Sequence, residues 1–329
     1  MGRLGIRSFA VVTIVLITSL RSITSQIINS VHNVTFVNSG KSTDYSAVLI
    51  TSLFNIGRES NDGRKIDSYI EWLTKTLMLR HPMVVFVDSS ETKIAEAALR
   101  VRKSIVKLYD IPSIIVSTSL DLVPYYNISA KVGKILMSKN WKSKAKYPND
   151  ITNKNPLYVV IQYSKFEWMS QASQLIENRW SYSAIGWVDA GISRFFPAFK
   201  KSDTTIAIQD QIIRKCVDSN SFCFPGAERL PQLFENPRLI SKDSYIGTNE
   251  CIVKGGIFIS ARNRLEDVRK AIQEFVYNEL LAKDRVDNEQ IALACLVSEH
   301  PTWFAEIVLN NDRSKAYDDK IFSLSHKRI

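Results

Sequence analysis

The sequence predicts an open α/β fold, a mostly parallel sheet with helices on both faces. Short β-branched runs alternate with apolar positions at helical spacing. The 329 residues are 45% hydrophobic and 23% charged, ordinary globular usage. Gly (12) and Pro (10) are too scarce for long flexible linkers. The same figures exclude a disordered chain, a collagen-like repeat and a coiled coil.

The elements follow in order. Ala47 to Leu53 is a buried strand, and the polar stretch 55–63 behind it is a loop. Ile66, Tyr69, Leu73 and Leu77 mark a helix that ends before Pro82. Met83 to Val87 is a second strand, closed by Asp88. Ile94, Ala98, Val101, Ile105 and Leu108 share one helix face, and Ser113 to Ser117 is the third strand. Two further strands are expected at Leu157 to Gln162 and Ser183 to Val188, with a helix over 164–177 between them. Thr204 to Ile208 and Ile252 to Ser260 are expected to be antiparallel at one edge. A helix marked by Leu265, Val268, Ile272 and Phe275 runs to about Ala282, and a shorter one spans Asn288 to Val297. No internal repeat interrupts this order. Residues 46–329 read as one domain, 26–45 as a stem and 1–25 as a leader.

The leader sets the expected compartment. Arg3 and Arg7 precede an uncharged run from Phe9 to Leu20, which Arg21 ends. Twelve residues fall short of the ~20 that span a bilayer, so the run reads as a secretory signal or a short signal anchor. Either form delivers the chain to the secretory lumen (Golgi or ER, with a possible membrane anchor) or to the outside. Asn33-Val-Thr and Asn127-Ile-Ser are N-glycosylation acceptors. The four cysteines suit two disulfides in an oxidising compartment. Cys216 and Cys223 bracket a polar loop and are expected to pair, leaving Cys251 with Cys295. The alternative is a free Cys295 thiol on an apolar helix face. The net charge is +10, and residues 100–150 hold ten Lys/Arg against three Asp. A lysine-rich solvated face accounts for that stretch, and an acidic glycan or anionic surface is a fairer partner than nucleic acid.

Ligands of open α/β sheets bind at the carboxyl ends of the strands. After the first strand, Asn55 leads to Gly57, which permits a close turn, and to Arg58, whose fork suits phosphate oxygens. Asp88 ends the second strand, where it could accept from a ribose or base, or cap a helix. Asp189 ends an apolar strand and is followed by small residues, leaving room for a ligand or hard cation. Arg194 could neutralise phosphate or pair with Asp189. Gly255 and Gly256 lie side by side in a strand pattern, as close approach of the backbone to a ligand or a β-bulge requires. Asp287 and Glu289 open the last helix, as a general base or as charges that a helix N-terminus prefers. The chain has no G-x-G-x-x-G, Walker A, G-x-S-x-G or H-E-x-x-H pattern.

Several segments together resemble the HtrL/YibB-like family: Thr51-Ser-Leu-Phe-Asn-Ile-Gly-Arg58, Tyr69-Ile-Glu-Trp72, Pro82 to Asp88, Asn155-Pro-Leu-Tyr158, Trp187-Val-Asp-Ala-Gly191 and Lys254-Gly-Gly-Ile-Phe258. The resemblance covers roughly residues 46–300, in order. That family is linked to bacterial surface-polysaccharide biosynthesis, has relatives in animals, and looks like a branch of the GT-A nucleotide-diphospho-sugar transferases. The resemblance implies a glycosyltransferase that binds a nucleotide sugar and acts on a glycan or glycoprotein. Asn55, Gly57, Arg58, Asp88, Arg194, Gly255 and Gly256 would then hold the donor. Asp189 would hold Mn²⁺ or Mg²⁺ where such enzymes carry Asp-x-Asp, though Gly191 replaces the second Asp. Asp287 or Glu289 would deprotonate the acceptor if the reaction inverts.

Overall fold

Four apolar runs lie side by side as parallel strands in the computed structural model, which describes residues 33–37, 44–196, 199, 204–227, 229–248, 250–307 and 321–326. They are β2 (Asp44–Leu53), β3 (Met83–Asp88), β4 (Ser113–Thr118) and β5 (Ser181–Val188), in the order β4-β3-β2-β5. Their centres are near-continuous apolar sequence because helices bury both sheet faces. The intervening helices are α1 (Arg58–Asp62), α2 (Ile66–Thr76), α3 (Thr92–Tyr109), α4 (Ser129–Met137), α5 (Lys139–Lys144) and α6 (Pro156–Ile176).

Antiparallel pairing closes both ends of this sheet. Asn33–Val37, within the stretch read as a stem, is strand β1 and pairs with β4 at the edge. On the other side β8 (Ile257–Ala261) runs antiparallel to β5, and β7 (Phe222–Phe224) and β9 (Phe304–Glu306) follow it outward. Strand β6 (Thr204–Ile208) leaves the main sheet and pairs with β10 (Phe322–His326). Helices α7 (Asp210–Asp218), α8 (Leu230–Glu235), α9 (Lys242–Tyr245), α10 (Leu265–Glu274) and α11 (Glu289–Glu299) complete the named elements. The helix begun by α10 continues through a π turn at Phe275–Leu280 and a tight turn to Lys283.

The expected strand at 157–162 is instead the start of α6, one 21-residue helix. Asn155 caps it by accepting from the Leu157 and Tyr158 amides at 2.9 and 3.3 Å, and Pro156 fits the first turn. The helix is buried on most sides, so it lacks the polar stripe that reveals helical periodicity.

The cysteines divide. Cys216 and Cys223 form the expected disulfide, tying the end of α7 to β7. Cys251 and Cys295 are free, which corrects the second pairing. Cys251 lies on an exposed loop with its thiol within reach of two alternative acceptors, Val253 O at 3.2 Å and Gln290 Oε1 at 3.1 Å, while Cys295 is buried within the apolar body of α11. Asn33 and Asn127 are both exposed. The leader lies outside the described residues, among which no helix is long and apolar enough to cross a membrane.

Candidate functional site

From β2 the chain builds outward to β3 and β4, then returns to lay β5 on the other side of β2. The loops leaving β2 and β5 therefore part in opposite directions, which opens a crevice at the strands' carboxyl ends. A cleft of about 950 Å³, open mouth included, lies there. Its walls come from the loop after β2 (Asn55, Arg58), from Arg64 and Tyr69, from α6 (Tyr158, Lys165) and from the tip of β5 (Trp187, Asp189, Arg194).

Lys165 forms the floor. It is 2% exposed, and its ammonium donates to Glu289 Oε1 at 2.7 Å and Gly255 O at 3.1 Å and lies 3.0 Å from Asp189 Oδ1. Those three acceptors match the three N–H bonds of an ammonium. Burial alone would lower the Lys165 pKa, but the carboxylates of Asp189 and Glu289 outweigh it and hold the pKa above its ordinary value. Burial pushes Glu289 up, against the pull of the Lys165 charge. The Asp189 side chain is 38% exposed; its Oδ1 also accepts from Trp187 Nε1 at 2.6 Å. The Asp189 amide donates to Gly256 O at 2.9 Å.

The cationic wall is built on rings. Arg58 pairs with Asp62 one helical turn on, and its guanidinium lies 4.9 Å from the Tyr158 ring and 5.6 Å from that of Tyr69. Arg194 lies over Trp72 at 4.9 Å and beside Phe195 at 4.4 Å, and its Nε is buried without a hydrogen bond. It does not take the place of Asp189's buried partner, which is Lys165. Ser52 and Gln162 also line the cleft, and Ser52 Oγ and Gln162 Oε1 are buried without a hydrogen bond.

The residues singled out from the sequence divide into three groups. Asn55, Arg58, Asp189 and Arg194 line the cleft. Gly57, Asp88, Gly255, Gly256 and Glu289 do not line it, but each bonds to a residue that does. Gly57 turns the chain at φ +68° and donates to Asn55 Oδ1 at 3.2 Å. Asp88 accepts from the Asn55 amide at 3.1 Å and from Ser90, so it organises the loop. Gly255 and Gly256 precede the strand that begins at Ile257, and a Cβ on Gly255 would collide with Glu289 Oε1, so the close neighbour there is a buried carboxylate and not a ligand. Asp287 lies outside the cleft lining and accepts from the Gly247 and Asn288 amides at 2.6 and 2.9 Å. Burial pushes its pKa up to about 7, against those two bonds.

Sequence reasoning did not reach Lys165, Arg64 or Gln162, but the segments Tyr69 to Trp72 and Asn155 to Tyr158 had pointed at the wall. Asn155 ties α6 to the first loop by donating to Ile56 O at 2.9 Å.

A family model described as "Bacterial protein of unknown function (HtrL_YibB)" matches residues 45–219, from β2 through α7. The chain belongs to the HtrL/YibB family. The matched segment holds every cleft-lining residue, whereas Gly255 and Glu289 of this HtrL/YibB chain lie beyond it. No curated protein matches the chain.

Proposed function

We propose that this protein is a glycosyltransferase that moves a sugar from a nucleotide-sugar donor to a glycan or glycoprotein in the secretory lumen. The observation that carries this reading is the convergence of Arg58, Arg64, Arg194 and Asp189 on one cleft at the switch point between β2 and β5. The strand order, with an antiparallel strand beside β5, is consistent with the GT-A type. Arginine forks match the oxygens of a diphosphate, and Tyr69 and Tyr158 add ring surface to the cleft wall.

In the transfer, a bond forms between the acceptor hydroxyl oxygen and the sugar's anomeric carbon. The bond from that carbon to the diphosphate oxygen breaks, and its electron pair leaves with the nucleoside diphosphate. The arginines stabilise the charge on the leaving group as it develops. Asp189 presents carboxylate surface to the cleft while Lys165 and Trp187 hold Oδ1, so it is better placed than Asp287 or Glu289 to take the acceptor's proton.

The test is a thermal-shift screen of the purified protein with UDP-, GDP- and CMP-sugars, followed by an assay for released nucleotide. One donor class should raise Tm and be turned over, and Asp189→Asn should abolish turnover. Absence of any shift from all three classes refutes the reading. A second reading, a carbohydrate-binding domain of the same fold without turnover, is favoured by Gly191 standing where an Asp-x-Asp motif carries its second carboxylate. Binding without transfer or hydrolysis would select it.

A further inference from the structure

A divalent cation is what the GT-A resemblance implies at Asp189, and the donor set there does not suit one. Asp189 Oδ1 faces two donors, the Lys165 ammonium at 3.0 Å and the Trp187 indole N–H at 2.6 Å. That leaves only Oδ2 for a cation, and a fixed ammonium on the same carboxylate repels it. Gly191 contributes no side chain, and no group of three His, Cys, Asp or Glu among the described residues is placed to share a metal. Glu289, the other carboxylate on Lys165, is 1% exposed.

We propose that the cleft binds the diphosphate of its nucleotide without a metal, its charge being met by Arg58, Arg64 and Arg194 while Lys165 locks Asp189 as an internal counter-charge. The identity of the anion rests on the glycosyltransferase reading; the absence of a metal rests on the donor set alone. Lys165 satisfies all three of its N–H bonds within the protein, so it positions Asp189 and does not reach the ligand. Unmet hydrogen-bonding capacity belongs instead to buried atoms of three cleft-lining residues, which a ligand meets once those side chains turn toward it. Arg194 Nε is a donor suited to a phosphate oxygen, Gln162 Oε1 an acceptor suited to a ribose or sugar hydroxyl, and Ser52 Oγ can serve either. Each is costly to bury unpaired, so a ligand that satisfies them recovers that cost on binding. Tyr69 and Tyr158 under Arg58, and Trp72 under Arg194, hold the two forks in place before the ligand arrives.

The experiment uses the full chain in two titrations. In the first, Mn²⁺ alone is added and the free ion is followed by EPR. In the second, UDP, GDP, CMP and inorganic pyrophosphate are titrated calorimetrically, once in EDTA and once with excess Mn²⁺. The proposal expects an unchanged free-Mn²⁺ signal and a nucleotide Kd that agrees within about twofold in the two conditions. Arg194→Ala should weaken that Kd by about tenfold or more, equivalent to about 1.4 kcal/mol. Arg58→Gln serves as a second variant, and the Tm of each shows that it is folded.

Mn²⁺ uptake that Asp189→Asn removes, or nucleotide binding that needs Mn²⁺, overturns the metal-free site and leaves the transferase reading standing. Metal-free binding of pyrophosphate with no gain from any nucleoside supports the site and removes the transferase reading. Failure of every anion to bind in both conditions overturns both.

Discussion

Replacing Lys165 by Met removes the one charge that holds the cleft floor together. Met fills a similar volume, so packing changes little and electrostatics decide the outcome. Three acceptors lose their donor: Glu289 Oε1, Gly255 O and Asp189 Oδ1, previously at 2.7, 3.1 and 3.0 Å. Asp189 can turn to solvent and keeps Trp187, so its loss is the smallest. Glu289 cannot turn, because it is 1% exposed and its Oε2 already lacks a partner. Breaking a buried pair from one side costs about 3–5 kcal/mol. For a chain of this size that is a fall in Tm of roughly 4–7 °C.

The loss has a pH signature. Burial already raises the pKa of Glu289, and without Lys165 the carboxylate takes up a proton more readily. The folded variant then binds more protons than the unfolded chain above the ordinary Glu pKa, so its stability falls as pH rises. Thermal unfolding of Lys165→Met at pH 5 and pH 8 should show a larger deficit at pH 8. Adding Glu289→Gln should recover most of it. A single variant within about 1 kcal/mol of wild type at pH 8 would refute the account, since a satisfied buried ammonium cannot be lost so cheaply.

Gly255→Ala should lower stability by about 1–3 kcal/mol, because its Cβ collides with Glu289 Oε1 and crowds Gln290 Cγ at 3.0 Å; chemical denaturation reads this, and an unchanged midpoint contradicts it. Burial holds His81 down to about 4 and pushes Asp287 up to about 7, with opposite effects on stability. The His81 contribution is present above pH 6.5 and lost as pH falls toward 4, whereas Asp287 costs stability as pH rises from 3.8 toward 7. The two nearly offset between pH 7 and 5 in the wild type. Asp287→Asn should therefore lose about 2 kcal/mol over that interval relative to its own value at pH 7, and a variant that tracks the wild type refutes the assignment. Under denaturing, non-reducing conditions two of the four thiols should alkylate, those of Cys251 and Cys295. Reducing Cys216–Cys223 should cost about 2–3 kcal/mol by releasing a short loop; four alkylated thiols, or none, would contradict the pairing.

The sheet centre was legible because parallel strands buried on both faces leave unbroken apolar runs, and β2 to β5 all have them. Asp189 was legible for the same reason, as the first charge after such a run. Helix α6 was not. Tyr158-Val-Val-Ile-Gln162 is as β-branched as a strand, and only Asn155-Pro156 marks a helix start. Lys165 could not be found from sequence, because its partner Glu289 lies 124 residues away and lone lysines are usually solvated. The Gly255–Gly256 pair did mark a tight approach, but the group approached was a side chain that no local pattern reveals. β1 was missed because five residues of modest alternation carry little signal.

Tyr158, Gln162 and Lys165 stand four and three residues apart, on one side of a single uninterrupted helix. A helix advances 100° per residue, so one residue inserted between Tyr158 and Lys165 would swing one out of line with the other by about 100°. Point substitutions can retune the wall one side chain at a time, but length changes in this segment are all-or-none. Relatives that bind different ligands should therefore keep the spacing from Asn155 to Lys165 fixed.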